Sequence, residues 1–270
     1  MTEAHVTYIG NATTLLRLGD LTLLTDPAFG PAGSRYHLGY GAWTRRLIDP
    51  ALGLGELPPL HAVLLSHLHS DHFDRTASRG LPADLPIITT PQAGRKLART
   101  RFTTTHGLPT WENFDLTVGR QRVRITAVPG RHGPGPVDRL LPDVMGSVVE
   151  LFEDEVCRLR LYVTGDTLFR PELAEIPRRC GDIDAMLIHL GGTRLLGMLL
   201  TMDARQGADL TELIRPGLTL PIHHDDFRVF TSPVSDYFAT ARDRGLTGVS
   251  PIGRGDTVRL PLRQSAGAAA

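Results

Sequence analysis

The sequence predicts an α/β fold of four layers, with helices outside, two sheets inside and one shared core. Short runs rich in Val, Ile, Leu and Thr alternate with helix-length amphipathic segments in both halves of the chain, and no linker separates the halves. Four of the strand-like runs end in residues able to bind metal, and strand carboxyl ends in α/β sheets gather at one crevice. At 270 residues, with 41% hydrophobic and 21% charged side chains, the composition is that of a globular chain able to form one such core.

Taken in order, residues 6–9, 13–18 and 21–25 read as an opening meander, broken at Gly10-Asn11 and at the tight turn Gly19-Asp20. Residues 27–59 lose periodicity and carry Arg35, Tyr36, His37, Tyr40, Trp43, Arg45 and Arg46. A segment this long is functional or disordered, and its aromatics argue against disorder. It is expected to fold over the site as a substrate-shaping lid, with a homo-oligomer contact as the alternative. Residues 62–66 and 86–89 read as strands, 73–79 and 92–101 as helices, and 113–118 with 122–128 as strands paired around Gly119-Arg120. The second half gives strands at 146–152, 158–163, 185–189 and 218–222, and helices near 171–176, 203–214 and 233–243. The domain is expected to span 1–262, leaving 263–270 as a flexible tail.

The chain has 29 basic and 29 acidic side chains, so no basic field recruits nucleic acid or an anionic membrane, and no nucleic-acid partner is expected. No charged-then-apolar leader opens the chain, and no apolar run approaches the roughly 20 residues of a membrane span. Two cysteines, Cys157 and Cys180, are too few for a disulfide framework. Together these imply a cytoplasmic protein with free thiols.

The run His67-Leu68-His69-Ser70-Asp71-His72 follows the apolar 62–66 segment directly. Three imidazoles and a carboxylate on one short loop offer the nitrogen and oxygen donors that a divalent metal needs; a His-rich surface loop is the alternative. Three further strand-like runs lead to Arg131-His132, Gly165-Asp166-Thr167 and His223-His224-Asp225-Asp226. Spacing alone shows only that ligands cluster. A lone His such as His132 in a Gly and Pro-rich turn is usually a surface residue, and Asp166 reads equally as a turn or N-cap residue.

The order H-x-H-x-D-H, a single later His, an Asp in a Gly-Asp-Thr turn and a late His after an apolar strand resembles the metallo-β-lactamase fold hydrolases, from about Val6 to about Leu260. Within that superfamily, Leu24-Thr25-Asp26-Pro27 and Pro221-Ile222-His223 resemble the branch of ascorbate-6-phosphate lactonase and the phospholipase D that hydrolyses N-acyl phosphatidylethanolamine. The resemblance implies an αβ/βα sandwich holding two divalent ions. His67, His69 and His132 would hold the first, Asp71, His72 and His223 the second, and Asp166 would bridge them. Zinc or manganese suits these donors, and affinity rules do not separate the two. Flavin-linked di-iron relatives place Glu where this chain has His69, which disfavours a redox centre.

Such a pair acidifies bound water and polarises an electrophile. The implied activity is hydrolysis of a small, anionic or neutral ester-like substrate, a lactone or a phosphodiester, by metal-bound hydroxide. A nuclease of the same fold and a non-catalytic ligand-binding member are the alternatives; neutral charge counts against the first and the intact ligand set against the second. Asp71 and His189 are the candidate catalytic residues. His189 ends a strand, where it would contact substrate or protonate a leaving group, or else be a core histidine.

Related sequences often carry His where this chain has Asn11, which keeps hydrogen-bonding capacity but cannot titrate. Asp26 is expected beneath the ligands, orienting one imidazole, or as a simple turn residue. Arg194, with Arg35, Arg45 and Arg46, is expected to clamp an anionic substrate or to be solvated. His224 is expected at the mouth of the site.

Overall fold

The computed structural model describes residues 2–39 and 41–264; Met1, Tyr40 and residues 265–270 of the expected tail lie outside the described residues. The first half runs through β1 (Ala4–Gly10), β2 (Thr13–Leu18), β3 (Leu21–Thr25), β4 (Arg35–Gly39), β5 (Ala42–Arg45), β6 (Ala62–Leu64), helix α1 (Arg75–Gly80), β7 (Ile87–Thr89), α2 (Pro91–Leu97) and β8 (Thr105–Gly107). The second runs through β9 (Asn113–Val118), β10 (Gln121–Pro129), β11 (Met145–Glu153), β12 (Val156–Val163), α3 (Glu175–Cys180), β13 (Ala185–His189), β14 (Arg194–Leu195), β15 (Met198–Leu199), α4 (Ala204–Ile214), β16 (Leu218–Ile222), α5 (Val234–Asp243) and β17 (Thr257–Arg259).

Two large sheets result, ordered β17-β1-β2-β3-β6-β7-β8 and β16-β13-β12-β11-β10-β9. Strand residues that point between them, among them Leu16, Leu23, Leu64, Ile125, Val149, Leu161 and Leu187, form the central core. Residues of opposite parity point outward. Leu15, Leu24 and Val63 meet Ala77, Leu81 and Leu97 of the first helical layer, while Val148, Tyr162 and Met186 meet Ile176, Leu210 and Tyr237 of the second. The expected four layers are present.

Strand direction decides where the site lies. β3 and β6 are parallel, and β12, β13 and β16 are parallel; β10 shares their direction because both β10 and β12 pair antiparallel with β11. Asp26, the His67–His72 run, His132, Asp166 and His223 therefore lie in the segments that follow β3, β6, β10, β12 and β16, and His189 is the last residue of β13.

Local chemistry sets the helix ends. Asp74 caps α1, its Oδ1 accepting the Ala77 N–H at 2.8 Å, which releases Phe73 to pack on Phe102 rather than open the helix as expected. Thr90 caps α2, with Pro91 at its first position, and the helix stops at Leu97 rather than 101. Residues 171–174 form a 3₁₀ turn ahead of α3.

The 27–59 segment departs from its expected irregularity. Its middle is the hairpin β4–β5, and its roots are built into the core: Phe29 is buried in the first outer cluster, and Tyr36 donates to Asp74 Oδ2 at 3.0 Å. Arg263, assigned to the tail, is also held, by Asp184 at 2.8 Å and by its own N–H to the Arg158 carbonyl. Both cysteines are free and half-buried. No helix among the described residues is long and apolar enough to cross a membrane.

Candidate metal centre

His67, His69, Asp71, His72, His132, Asp166 and His223 come together in one buried cluster, none more than 8% exposed. His67 Nε2 lies 2.9 Å from His69 Nδ1, which lies 3.2 Å from His132 Nε2. Those separations match the edge of a tetrahedron with zinc–nitrogen bonds of about 2.0–2.1 Å, roughly 3.3 Å. Beside this trio, His72 Nε2 approaches Asp166 Oδ2 at 3.2 Å and Asp71 Oδ2 at 3.7 Å, while His223 Nε2 lies 3.6 Å from both carboxylates. Nε2 of His72 and His223 and Oδ1 of Asp71 and Asp166 are buried without hydrogen-bond partners. Buried groups left without partners cost about 1–3 kcal/mol each, and a cation would satisfy nitrogen and oxygen lone pairs that face one space.

The opposite ring atoms are already engaged. His132 Nδ1 faces the Leu200 carbonyl at 3.0 Å, His223 Nδ1 the Leu190 carbonyl at 3.2 Å, and His72 Nδ1 faces Asp26 Oδ2 at 3.0 Å. A proton on Nδ1 leaves each Nε2 lone pair aimed inward. Asp26 itself is fixed by the Ser66 N–H at 2.7 Å and the Ser66 hydroxyl at 2.8 Å.

Burial drives His67, His69 and His132 toward the neutral form, His69 down to about 3. Burial also opposes protonation of His72 and His223, but Asp166 foremost, then Asp26 and Asp71 for His72 and Asp71 for His223, raises both. Against burial, His72 and His223 hold Asp71 down to about 2 and hold Asp166 well below the ordinary carboxylate range; His72 and His189 lower Asp26. The cluster thus sets a neutral trio, His67, His69 and His132, beside ionised buried carboxylates that draw positive charge, in the absence of metal onto His72 and His223. Divalent cations supply that charge, and this donor set fits them.

Above the cluster lies a cavity open to solvent, into which His69, Asp71, His132, Asp166 and His223 face. Its wall is largely apolar, from Trp43, Leu141, Leu195, Leu200 and Val229, with Thr193, Thr201 and Arg194 among them.

The remaining candidates separate. Asn11 is fully buried: its Nδ2 donates to the Asp71 carbonyl at 2.8 Å, and its carbonyl accepts the His223 N–H at 2.9 Å. It holds ligand loops and does not line the cavity. His189 lies behind His72, rings near parallel at 6.1 Å, with Nδ1 on Thr164 and Nε2 3.6 Å from Asp26. Fully buried and off the cavity wall, it is placed to support Asp26 and His72 rather than to touch substrate. His224 turns to Asp225, at 3.8 Å, and is also off the wall.

Of the four arginines, only Arg194 lines the cavity. Arg35 stacks on Trp43 and Arg45 is exposed, while Arg46 is buried against Asp226 and so is no substrate clamp. Ser66, Thr164 and the Leu190 and Leu200 carbonyls were not foreseen, because backbone acceptors and lone hydroxyls leave no mark in a sequence. Asp226 stood in plain view beside His223 without a role.

A family model of the beta-lactamase superfamily domain matches residues 22–224, and the chain belongs to that superfamily. A metal-dependent hydrolase of Anaeromyxobacter sp. (strain K) is 27% identical over 83% of this chain and 76% of its own length. One from Pyrobaculum islandicum is 24% identical over 95% of this chain and all of its own. The solved isothiocyanate hydrolase from Delia radicum gut bacteria shares the fold, with a TM-score of 0.78 and 18% identity over 95% of this chain and 99% of that one. The chain is a metal-dependent hydrolase of the metallo-β-lactamase fold.

Proposed function

We propose that the chain is a two-metal hydrolase of small ester-like molecules with a carbon electrophile, a lactone or a simple ester. His67, His69 and His132 hold the first ion, Asp71, His72 and His223 the second, and Asp166 reaches both, lying 4.0 Å from His67 Nε2 and 3.2 Å from His72 Nε2. Zinc suits this nitrogen-rich set, with manganese the alternative. Ions bound there supply Lewis acidity and an acidified water. Asp71 Oδ1 is free of hydrogen bonds beside the cavity, where it can orient a water.

One observation carries the preference for carbon: among the described residues, Arg194 is the only basic side chain other than histidine in a wall that is otherwise mostly apolar above the ligand cluster. A phosphodiester brings a permanent charge that one partly exposed arginine meets poorly, whereas a lactone with an apolar tail fits that wall. Arg194 is also what favours the phosphodiester reading, so it provides the test. Protein of measured metal content is assayed on lactones, thioesters, aryl esters, an isothiocyanate and aryl phosphodiesters. A carbon substrate should lead in kcat/KM by at least about tenfold, equivalent to roughly 1.4 kcal/mol, and Arg194→Ala should change that rate little. A leading phosphodiester whose turnover collapses in Arg194→Ala overturns the preference.

The choice between neighbouring imidazoles is tested separately. His223→Ala should lower zinc content, and His224→Ala should leave it unchanged, as elemental analysis of the purified variants will read. Loss of zinc in the His224 variant alone would reverse the assignment.

A further inference from the structure

We propose that Arg46 and Asp226 are positioning residues for the metal centre: their buried ion pair fixes Asn11, and through it the backbones of Asp71 and His223, to the root of the β4–β5 hairpin. The inference rests on the ligand assignment proposed above.

Arg46 Nη2 and Asp226 Oδ1 are 2.9 Å apart, and both side chains are fully buried. A buried ion pair is costly to desolvate and persists where the remaining donors and acceptors are satisfied. Here Arg46 spends Nη1 on the Ala28 and Gly30 carbonyls and Nε on the Ile48 carbonyl. Asp226 spends Oδ2 on the Asn11 N–H at 2.6 Å and on Arg254 at 2.8 Å. Its own carbonyl accepts the Leu47 N–H, and Arg46 and Phe227 form an isolated bridge. The pair thus knots the segment after β1, both roots of the hairpin and the loop after β16.

From that knot two bonds lead to the ligands, Asn11 Nδ2 to the Asp71 carbonyl and the His223 N–H to the Asn11 carbonyl. Asn11 sits at φ 53° and His223 at φ 60°. Asn tolerates the left-handed region; a His there is strained and persists only where its surroundings hold it. Gly10 shows how tightly the knot is drawn, since a Cβ at that position would lie 2.9 Å from Arg46 Nη2 and 3.1 Å from Arg254 Nε.

The test titrates zinc into chelator-stripped protein against a chromophoric competitor, alongside a thermal melt of each variant. Arg46→Met and Asp226→Asn should weaken the second zinc equivalent by about tenfold or more while moving the first by less than about twofold, as loss of a ligand's supporting partner does. Arg46→Lys, which keeps the charge, should recover part of the loss. A role in stability alone lowers the melting temperature and leaves both equivalents unchanged below it, and that result overturns the proposal. Should Arg46→Met fail to fold, Asn11→Ala decides: it leaves the ion pair intact, and native binding of the second equivalent in that variant and in Arg46→Lys would sink the idea. Asp71→Ala separates the two levels. If it leaves zinc binding intact, the ligand assignment fails and the proposal with it; if it weakens the second equivalent while Arg46→Met does not, only the positioning role fails.

Discussion

Asp166→Ala is expected to yield a folded protein that has lost most of its metal and essentially all of its hydrolysis. Asp166 touches both proposed ligand groups and is the leading charge that raises His72 and His223. Its loss therefore removes a shared donor and loosens the remaining set. Activity should fall at least as far as when one preorganised electrostatic stabiliser is removed, on the order of 10²–10³-fold. His67→Ala should behave similarly, since it breaks the closely spaced imidazole trio. Neither side chain belongs to the apolar clusters, so both variants should keep the native secondary structure by circular dichroism. Full metal occupancy in both would refute the assignment.

Replacing residues 27–59 by a Gly-Ser linker should abolish folding, not merely selectivity. That deletion removes Arg46 from Asp226, Tyr36 from Asp74 and Phe29 from its cluster. Asp226 would keep Arg254 but lose Arg46, and buried Asp74 would lose three donors, from Phe29, Gly30 and Tyr36; breaking a buried pair costs up to about 3–5 kcal/mol, a large share of the roughly 5–15 kcal/mol that holds a domain together. Trp43 is different: it is 55% exposed, it faces the cavity, and nothing in the core depends on it. Trp43→Ala should keep its zinc and raise KM for an apolar substrate by roughly tenfold. A soluble, zinc-loaded deletion variant would show instead that the whole segment is a lid.

The parts of this fold legible in the sequence were those in which local pattern and tertiary role agree. The 121–129 and 156–163 strands alternate because one face enters the core while Arg122, Arg124, Arg158 and Arg160 point to ion pairs on the other, and their ends deliver His132 and Asp166. What escaped was set by distant partners. The β4–β5 hairpin shows no apolar face, because Tyr36 is buried against the remote Asp74 and Phe227 rather than against a neighbouring strand of the main sheets. Arg46 reads as solvated until Asp226, 180 positions later, is brought beside it. Strands of two or three residues, such as β8, β14, β15 and β17, are too short to show a period. Nor could any pattern say that His189 turns behind His72 rather than toward the cavity.

The proposed ligands come from both sheets: the His67–His72 loop follows β6 in one, and His132, Asp166 and His223 follow β10, β12 and β16 in the other. An ion held among them is a cross-link between the halves of the molecule, and it binds only when both are assembled. Its binding free energy then adds to stability, by about 4 kcal/mol at a thousandfold excess over the dissociation constant. A metal-starved copy is not only idle but closer to unfolding, and so the first to be cleared by proteases.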